Sequence, residues 1–210
     1  MDGKGRETKE KILSAAFSVF LKNGKAGTRM QEIADEAGVN KALLHYYFRS
    51  KDKIYLAVLK DVVQKIIMKI VENIDLSLDF QQIINNLIHT QINKIKENKQ
   101  VFQFIMGEVW MNPDEVKAVF KETIKILDRS ALLVIMERIN EAVLRKEIRK
   151  IDPFQLIINI FSLDIFFAII SPILFDITDF SEKKRMVIEN NRADEVFNFV
   201  WESIRLRNEE

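Results

Sequence analysis

The chain has 210 residues, 48% of them hydrophobic and 30% charged, so it can bury a core and is too apolar for a disordered protein. It has no cysteine, which excludes disulfide scaffolds, zinc–thiolate sites and cysteine nucleophiles, and its six glycines and three prolines are too few for a protein of many strands and turns. The net charge of +1 is divided unevenly along the chain. Residues 1–60 carry 12 Lys and Arg against 7 Asp and Glu, a net charge of +5, whereas residues 61–210 carry 20 Lys and Arg against 24 Asp and Glu, a net charge of −4. An anionic partner is therefore expected at the N-terminal end only.

Three short helices are predicted first. One covers residues 8–23, with Thr8 as a candidate N-cap and Gly24 as the C-terminal stop. A second begins after Thr28 as its N-cap, and a third runs from the N-cap Asn40 to Tyr47. Gly38 separates the last two, and two helices joined by a tight glycine turn predict a helix-turn-helix. The side chains expected to face a shared core are Ile12, Leu13, Ala16, Phe17, Phe20, Leu21, Met30, Ile33, Ala34, Ala37, Leu44 and Phe48.

A longer helix is predicted to begin at Ser50. Its apolar pairs repeat every four residues, from Ile54 and Tyr55 to Ile70 and Val71. Four residues turn a helix by about 400°, so the apolar stripe drifts by about 40° in each repeat. The two ends therefore face different neighbours, which predicts a connecting helix shared by two domains.

The rest of the chain is also predicted to be helical. The expected segments are 79–97, 98–111, 114–146, 153–175, 181–190 and 193–207, with Asp152 capping the fourth. The predicted fold is thus all-α, with an N-terminal three-helix helix-turn-helix domain over residues 1–49 and a C-terminal helical bundle over residues 50–210 that dimerises.

The segment from Asp152 to Phe175 is apolar on nearly all sides, which is typical of a helix that is buried all round. It is long enough for a membrane, but polar residues interrupt it and no aromatic belt flanks it, so no membrane partner is expected. We expect one face to pack in its own subunit and the other against a second copy, together with the last helix. The predicted dimer-interface residues are Ile158, Phe166, Ile169, Val196, Phe199, Val200 and Ile204.

The segment from Thr8 to Tyr55 resembles the N-terminal DNA-binding domain of TetR-family transcriptional regulators. The residues that match at fixed spacing are Ile12, Leu13, Ala15, Ala16, Phe20, Gly24, Thr28, Ile33, Ala34, Ala37, Gly38, Val39, Tyr47, Phe48 and Lys51. The resemblance implies that the third helix enters the major groove of double-stranded DNA. It also implies a four-helix dimer interface and a C-terminal domain that varies with the effector.

The outward side of the third helix would then contact DNA. Lys41 could donate to guanine, and Ala42 and Leu43 could meet a thymine methyl group. The expected DNA-contacting residues are Thr28, Arg29, Gln31, Asn40, Lys41, Ala42, Leu43, His45, Tyr46, Tyr47 and Lys51. The family commonly has Gly, Thr and Tyr in place of Ala42, Leu43 and His45, which puts the family's base specificity in doubt here. His45 either makes DNA affinity depend on pH near neutrality or is simply solvated.

An effector pocket is the least determined feature. The residues that could line it are Phe102, Met106, Trp110, Phe120, Met136, Phe161, Asp164 and Ile165, although an aromatic and methionine stripe at helical spacing is more often plain core. Asp164 is a charge within an apolar helix and needs a partner, either a cationic ligand or an Arg or Tyr across the interface.

The inventory of motifs does not favour an enzyme. The chain has two histidines and lacks H-E-x-x-H, G-x-S-x-G and a P-loop, so neither a metal nor a cofactor is expected. The N-terminal residues contain no apolar stretch, so we expect no secretory signal and a cytoplasmic protein. The predicted function is a homodimeric repressor that leaves an inverted-repeat operator when it binds a small hydrophobic effector. The alternative is a helical ligand-binding or protein-interaction module that no longer binds DNA.

Overall fold

The computed structural model describes residues 3–72, 75, 77–126 and 131–206. These residues form helices and no strand, in agreement with the all-α prediction. The helices are α1 (Gly3–Gly27), α2 (Met30–Glu36), α3 (Lys41–Tyr47), α4 (Lys51–Glu72), α5 (Phe80–Glu97), α6 (Lys99–Met111), α7 (Pro113–Ile126), α8 (Ala131–Leu144), α9 (Pro153–Ile177) and α10 (Glu182–Ile204).

The chain packs as two compact units. The first consists of residues 1–66 and 100–126, and the second of residues 67–99 and 127–210. These packing units are not the two functional domains predicted from the sequence, and the predicted boundary between residues 49 and 50 stays a prediction.

The first unit buries a small core between its three N-terminal helices. Ile12 and Ala16 of α1, Ile33 and Ala34 of α2, and Leu44 of α3 are all 0% exposed. These residues belong to the apolar stripes that the sequence predicts, so hydrophobic periodicity alone identifies the packing faces of these helices.

The ends of α1 differ in part from the prediction. The helix begins at Gly3, and the hydroxyl of Thr8 donates to the carbonyl of Lys4 inside the helix. Thr8 therefore does not cap the helix. Gly24 has a φ of 66° and interrupts the helical conformation, as a glycine stop is expected to do.

The caps of the next two helices give one correction and one confirmation. The N-cap of α2 is Arg29, whose main-chain N–H donates to the carboxylate of Glu32 at 2.8 Å. The predicted cap, Thr28, instead donates its hydroxyl to the carbonyl of Gly24 at 2.7 Å. Asn40 caps α3 as predicted, because its side-chain oxygen accepts a hydrogen bond from the N–H of Leu43 at 2.7 Å.

α4 is one continuous helix, as predicted, and the hydroxyl of Ser50 accepts a hydrogen bond from the N–H of Lys53 at 3.3 Å at its start. The apolar pairs of its first part are buried, and they are Ile54, Tyr55, Val58, Leu59, Val62 and Val63. The side chains of the predicted pair Ile70 and Val71 lie outside the described residues.

The second unit contains α5, α8, α9 and α10 around one apolar core. Ile84, Ile88, Ile139, Ile160 and Ile204 are fully buried in it. The predicted segment 114–146 consists of two helices, α7 and α8.

α9 and α10 carry the predicted dimer surface. The segments predicted at 181–190 and 193–207 form the single helix α10, because the residues between them include neither glycine nor proline. α9 begins after the cap Asp152, whose carboxylate accepts from the N–H of Gln155 at 2.9 Å. By length and composition α9 could cross a membrane, with a mean hydropathy of 2.2 in a window of which 28% is buried.

The predicted dimer residues separate into two groups. Val196, Val200 and Ile204 are at most 3% exposed and pack in the core of their own unit, so they are not available to a partner. The other four are exposed apolar side chains, namely Ile158 (43%), Phe166 (65%), Ile169 (48%) and Phe199 (67%). Helical periodicity identifies an apolar face, but it does not say which neighbour covers that face.

Candidate nucleic-acid interface

The third helix buries one face and presents the other to solvent. Leu44 is 0% exposed and Phe48, at the C-cap, is 6% exposed, which anchors α3 to the core of the first unit. On the opposite side, the side chains of Lys41, Ala42, His45 and Tyr46 are exposed, and that of Leu43 is half-buried. α3 therefore offers a donor cation, a small apolar group, an imidazole and a phenol along one face.

Two tyrosines end this surface. Tyr46 is 78% exposed, and its ring meets the half-buried ring of Tyr47 edge to face, with the centroids 5.4 Å apart. A Cβ on Gly5 of α1 would lie 3.6 Å from the hydroxyl of Tyr47, so this hydroxyl lies next to the start of α1. Phenolic hydroxyls can donate to phosphate oxygens.

Lys51 joins α4 to the turn between α1 and α2. Its ammonium group donates to the carbonyl of Ala26 at 3.2 Å and to that of Thr28 at 3.1 Å. Thr28 is 2% exposed, and its hydroxyl is engaged with Gly24. Both residues thus hold the turn in place, and their expected contacts with phosphate stay predictions.

The remaining expected contacts lie at the start of α2. Arg29 and Gln31 are exposed, and the side-chain amide of Gln31 donates to the carboxylate of Asp35 at 2.7 Å. At the cap, Arg29 donates its main-chain N–H to Glu32 and accepts a hydrogen bond from the N–H of Ile33 at its carbonyl.

Comparison with known proteins identifies this domain. The family described as "Bacterial regulatory proteins, tetR family" matches residues 12–58. The HTH-type transcriptional regulator RutR of Escherichia coli is 49% identical over 55 residues, which are 26% of each chain. The HTH-type transcriptional activator FasR of Mycolicibacterium smegmatis is 30% identical over 115 residues, which are 55% of this chain and 52% of FasR.

Residues 12–58 therefore carry the N-terminal domain of the TetR family of bacterial regulatory proteins. The chain's match to these relatives spans 52% of the length of FasR and 26% of that of RutR. The family is one of regulators and not of enzymes, as the motif inventory leads us to expect.

Solved structures share the fold of this chain over nearly its whole length. The Clostridium perfringens putative fatty acid metabolism regulator covers 94% of this chain and 100% of its own, with a TM-score of 0.68 at 23% identity. A putative transcriptional regulator from Saccharomonospora viridis in complex with choline covers 96% and 100%, with a TM-score of 0.72 at 20% identity.

A buried polar cluster of the first unit was not expected from the sequence. The hydroxyl of Tyr55 donates to the carboxylate of Glu108, and the amide of Asn112 donates to the other oxygen of that carboxylate at 2.9 Å. Lys25 lies over the Tyr55 ring, 4.7 Å from its centroid, and pairs with Asp52 at 3.3 Å. Glu108 is a lone carboxylate among apolar residues of α6, which is the pattern that could have indicated a buried partner.

The residues predicted for an effector pocket fall into both units. Phe102, Met106, Trp110 and Phe120 belong to the first unit, and Met136, Phe161, Asp164 and Ile165 belong to the second. Trp110 is 85% exposed. Asp164 lines a cavity of about 300 Å³ within the second unit.

Proposed function

We propose that this TetR-family regulator is a homodimeric repressor that binds an inverted-repeat operator and leaves it when a small hydrophobic effector binds. The observation that carries the proposal is the exposed face of α3, where Lys41, Ala42, His45 and Tyr46 face solvent while Leu44 is fully buried. A helix presented in this way fits the major groove, which is about 12 Å wide, with its first residues at the base edges.

We propose that a second copy of the chain packs against the exposed apolar surface of α9 and α10. Ile158, Phe166, Ile169 and Phe199 are each more than 40% exposed, and monomeric proteins in water rarely expose contiguous apolar patches of large area. A two-fold dimer would place two α3 helices on half-sites about 34 Å apart, which is why we expect an inverted repeat.

An effector is supported by a cavity of about 300 Å³ in the second unit. The S. viridis protein of the same fold is in complex with choline, so this fold can hold a small molecule. A ligand that favours a dimer with a different spacing of the α3 helices would release DNA, and DNA would weaken that ligand by the same factor. The cytoplasm, where the DNA lies, is the proposed site of action.

Gel retardation with the DNA that flanks the chain's own coding region tests DNA binding. We expect a specific retarded band with the wild type, and Lys41→Ala and Tyr46→Ala should weaken it by about tenfold or more. Lys183→Ala removes an exposed lysine of α10 in the second unit and should leave the band unchanged. Absence of a specific band with a folded dimer would favour the ligand-binding or protein-interaction module. Loss of reporter expression when the gene for this chain is deleted would identify an activator.

Sedimentation in detergent-free buffer tests the dimer. Phe166→Glu should convert a dimer into a monomer, because it places a charge in the proposed interface. Leu144→Glu, at an 82% exposed position of α8, should leave the dimer intact. Protein that stays in solution only with detergent would point to a lipid cover for α9 instead.

A further inference from the structure

An unpaired carboxylate lies inside the second unit. Asp164, near the middle of α9, is 2% exposed. Neither of its carboxylate oxygens has a hydrogen-bond partner among the described residues. A buried charge is costly unless an opposite charge or hydrogen-bond donors compensate it, so this carboxylate needs a partner.

Asp164 is one of the residues that line a cavity of about 300 Å³. The buried or half-buried residues that line it with Asp164 are Ile92, Ile95, Phe167, Ala168 and Ser171. Its exposed lining residues are Lys96, Lys99 and Glu189. The volume is at the lower end of ligand pockets, and the inner wall combines one acidic group with mostly apolar surface.

Two of the nearby basic side chains, Arg192 and Lys96, make polar contacts with groups other than Asp164. A terminal nitrogen of Arg192 on α10 donates to the carbonyl of Leu163 at 2.9 Å, and the guanidinium lies over the Phe167 ring, 4.5 Å from its centroid. The Nε of Arg192 is buried without a hydrogen-bond partner in the described part of the chain. The ammonium group of Lys96 donates to the carbonyl of Glu189. Arg192 acts on Asp164 by its charge alone: burial raises the pKa of Asp164 to about 7, and Arg192 partly opposes this rise.

A partner subunit is not placed to supply the missing donor. Asp164 and Phe166 are two residues apart, which turns them by about 200° around the helix axis. Phe166 is 65% exposed, whereas both oxygens of Asp164 are inaccessible from outside the protomer. The proposed dimer surface and the carboxylate therefore lie on opposite sides of α9.

We propose that the cavity binds a small primary alkylammonium cation, whose N–H groups donate to Asp164 and whose alkyl chain packs against Ile92, Ile95 and Phe167. An amine with N–H groups fits because both carboxylate oxygens lack donors. A short alkyl chain fits because the inner wall is apolar and the cavity is small. In the proposed repressor this cation would be the effector, and that role alone rests on the proposed function.

Calorimetric titration of the full-length protein with hexylamine, hexanol and hexanoate at about pH 8 tests the site, because Asp164 is then mainly charged. We expect one hexylamine per protomer and neither saturable hexanol binding nor saturable hexanoate binding. Asp164→Asn should weaken hexylamine binding by about tenfold or more, the scale of a lost hydrogen bond to a charged group. Asp176→Asn, at an exposed carboxylate of the same helix that pairs with Arg185 at 2.9 Å, should bind like the wild type.

A second variant keeps the test independent of the carboxylate. Ala168→Leu fills the cavity and leaves Asp164 in place, so it should also abolish hexylamine binding while the thermal melt stays cooperative. Three outcomes would each overturn the proposal. They are hexylamine binding by Asp164→Asn as strong as that of the wild type, hexanol binding as strong as hexylamine binding, and stronger binding of hexanoate through Lys96 and Lys99.

Gel retardation separates this site from the proposed function. Release of DNA by hexylamine in the wild type but not in Asp164→Asn would support the site as the effector site. Hexylamine binding without release would support the cation site and refute its role in DNA release. Failure to bind DNA at all would refute the proposed function and leave the calorimetric result standing.

Discussion

The hydroxyl of Tyr55 on α4 donates a hydrogen bond to the carboxylate of Glu108 on α6, and the two side chains are only 3% and 5% exposed. The amide of Asn112 donates to the second oxygen of the same carboxylate at 2.9 Å. Burial and the neighbouring Glu108 together raise the pKa of Tyr55, so the phenol stays a donor over the whole physiological range. The first unit thus contains a buried carboxylate with a donor on each oxygen.

Tyr55→Phe should destabilise the protein because it leaves one oxygen of Glu108 buried without a donor. The expected loss in the free energy of unfolding is about 1–3 kcal/mol, measured by urea denaturation. Replacing both partners, as in Tyr55→Phe with Glu108→Leu, should recover part of the loss because the unpaired buried carboxylate is removed, and only the part-buried amide of Asn112 loses its acceptor. Equal midpoints for Tyr55→Phe and the wild type would show that the hydrogen bond adds no net stability.

Lys51→Ala removes the ammonium group that holds the carbonyls of Ala26 and Thr28. We expect a lower melting temperature, because two main-chain acceptors lose a charged donor. If the same lysine also touches phosphate, the slope of log affinity against log salt should flatten by about one unit in gel retardation. Lys53→Ala, at an exposed position of the same helix, serves as the control for general charge loss. An unchanged slope would limit Lys51 to its role in the turn.

Two glycines with open surroundings should respond oppositely to alanine. Apart from the neighbouring residues and the backbone of the same helix, no heavy atom lies within 4 Å of a Cβ placed on Gly24 or Gly107, so neither substitution causes a clash. Gly24 has a φ of 66°, where a side chain costs about 1–2 kcal/mol, and Gly24→Ala should lower stability. Gly107 lies inside α6, where alanine is favoured by up to about 1 kcal/mol, and Gly107→Ala should raise it. Thermal melts of the two variants measure the difference, and shifts of the same sign would contradict the argument.

Asp164 should make stability fall as the pH rises. Burial raises its pKa in the folded state from the ordinary value near 3.8 to about 7, so the folded state binds a proton more tightly than the unfolded chain does. The stabilising contribution is complete below about pH 4, decreases between about pH 4 and pH 7, and is lost above that range. Because one pKa unit is worth about 1.4 kcal/mol, the effect amounts to a few kcal/mol.

The stability of Asp164→Asn relative to the wild type should therefore increase between about pH 4 and pH 7 and stay constant above pH 7. Thermal melts over this range measure the gain, and Asp176→Asn, at an exposed carboxylate on α9, should show no such trend. A difference between Asp164→Asn and the wild type that is independent of pH would contradict the raised pKa.

Local hydrogen bonding decides which caps the sequence could predict. Asn40 and Asp152 cap their helices as expected, because each side chain reaches an N–H three residues ahead. Thr28 has the right residue type, but its hydroxyl turns back to the carbonyl of Gly24. The outcome depended on a competing acceptor in the preceding turn, which the residue type of Thr28 does not reveal.

The sequence predicts which side chains of a helix are apolar, but not which neighbour each of them contacts. The exposed and buried sides of α3 followed from periodicity, because Leu44 is one turn before Phe48 and both fit the same apolar stripe. Periodicity could not place Val196 inside the protomer and Phe199 outside it, since both belong to apolar faces of one helix. It also could not pair Tyr55 with Glu108, which are 53 residues apart in the chain.

Because α3 is short, the residues that fold it differ from the residues on its exposed face. Seven residues make about two turns, too few for a helix that is stable alone, so burial of Leu44 and the cap from Asn40 impose its conformation. Lys41, Ala42 and His45 contribute nothing to that burial. In the proposed function, exchanges at these three positions would therefore redirect the domain to a new nucleotide sequence without unfolding it.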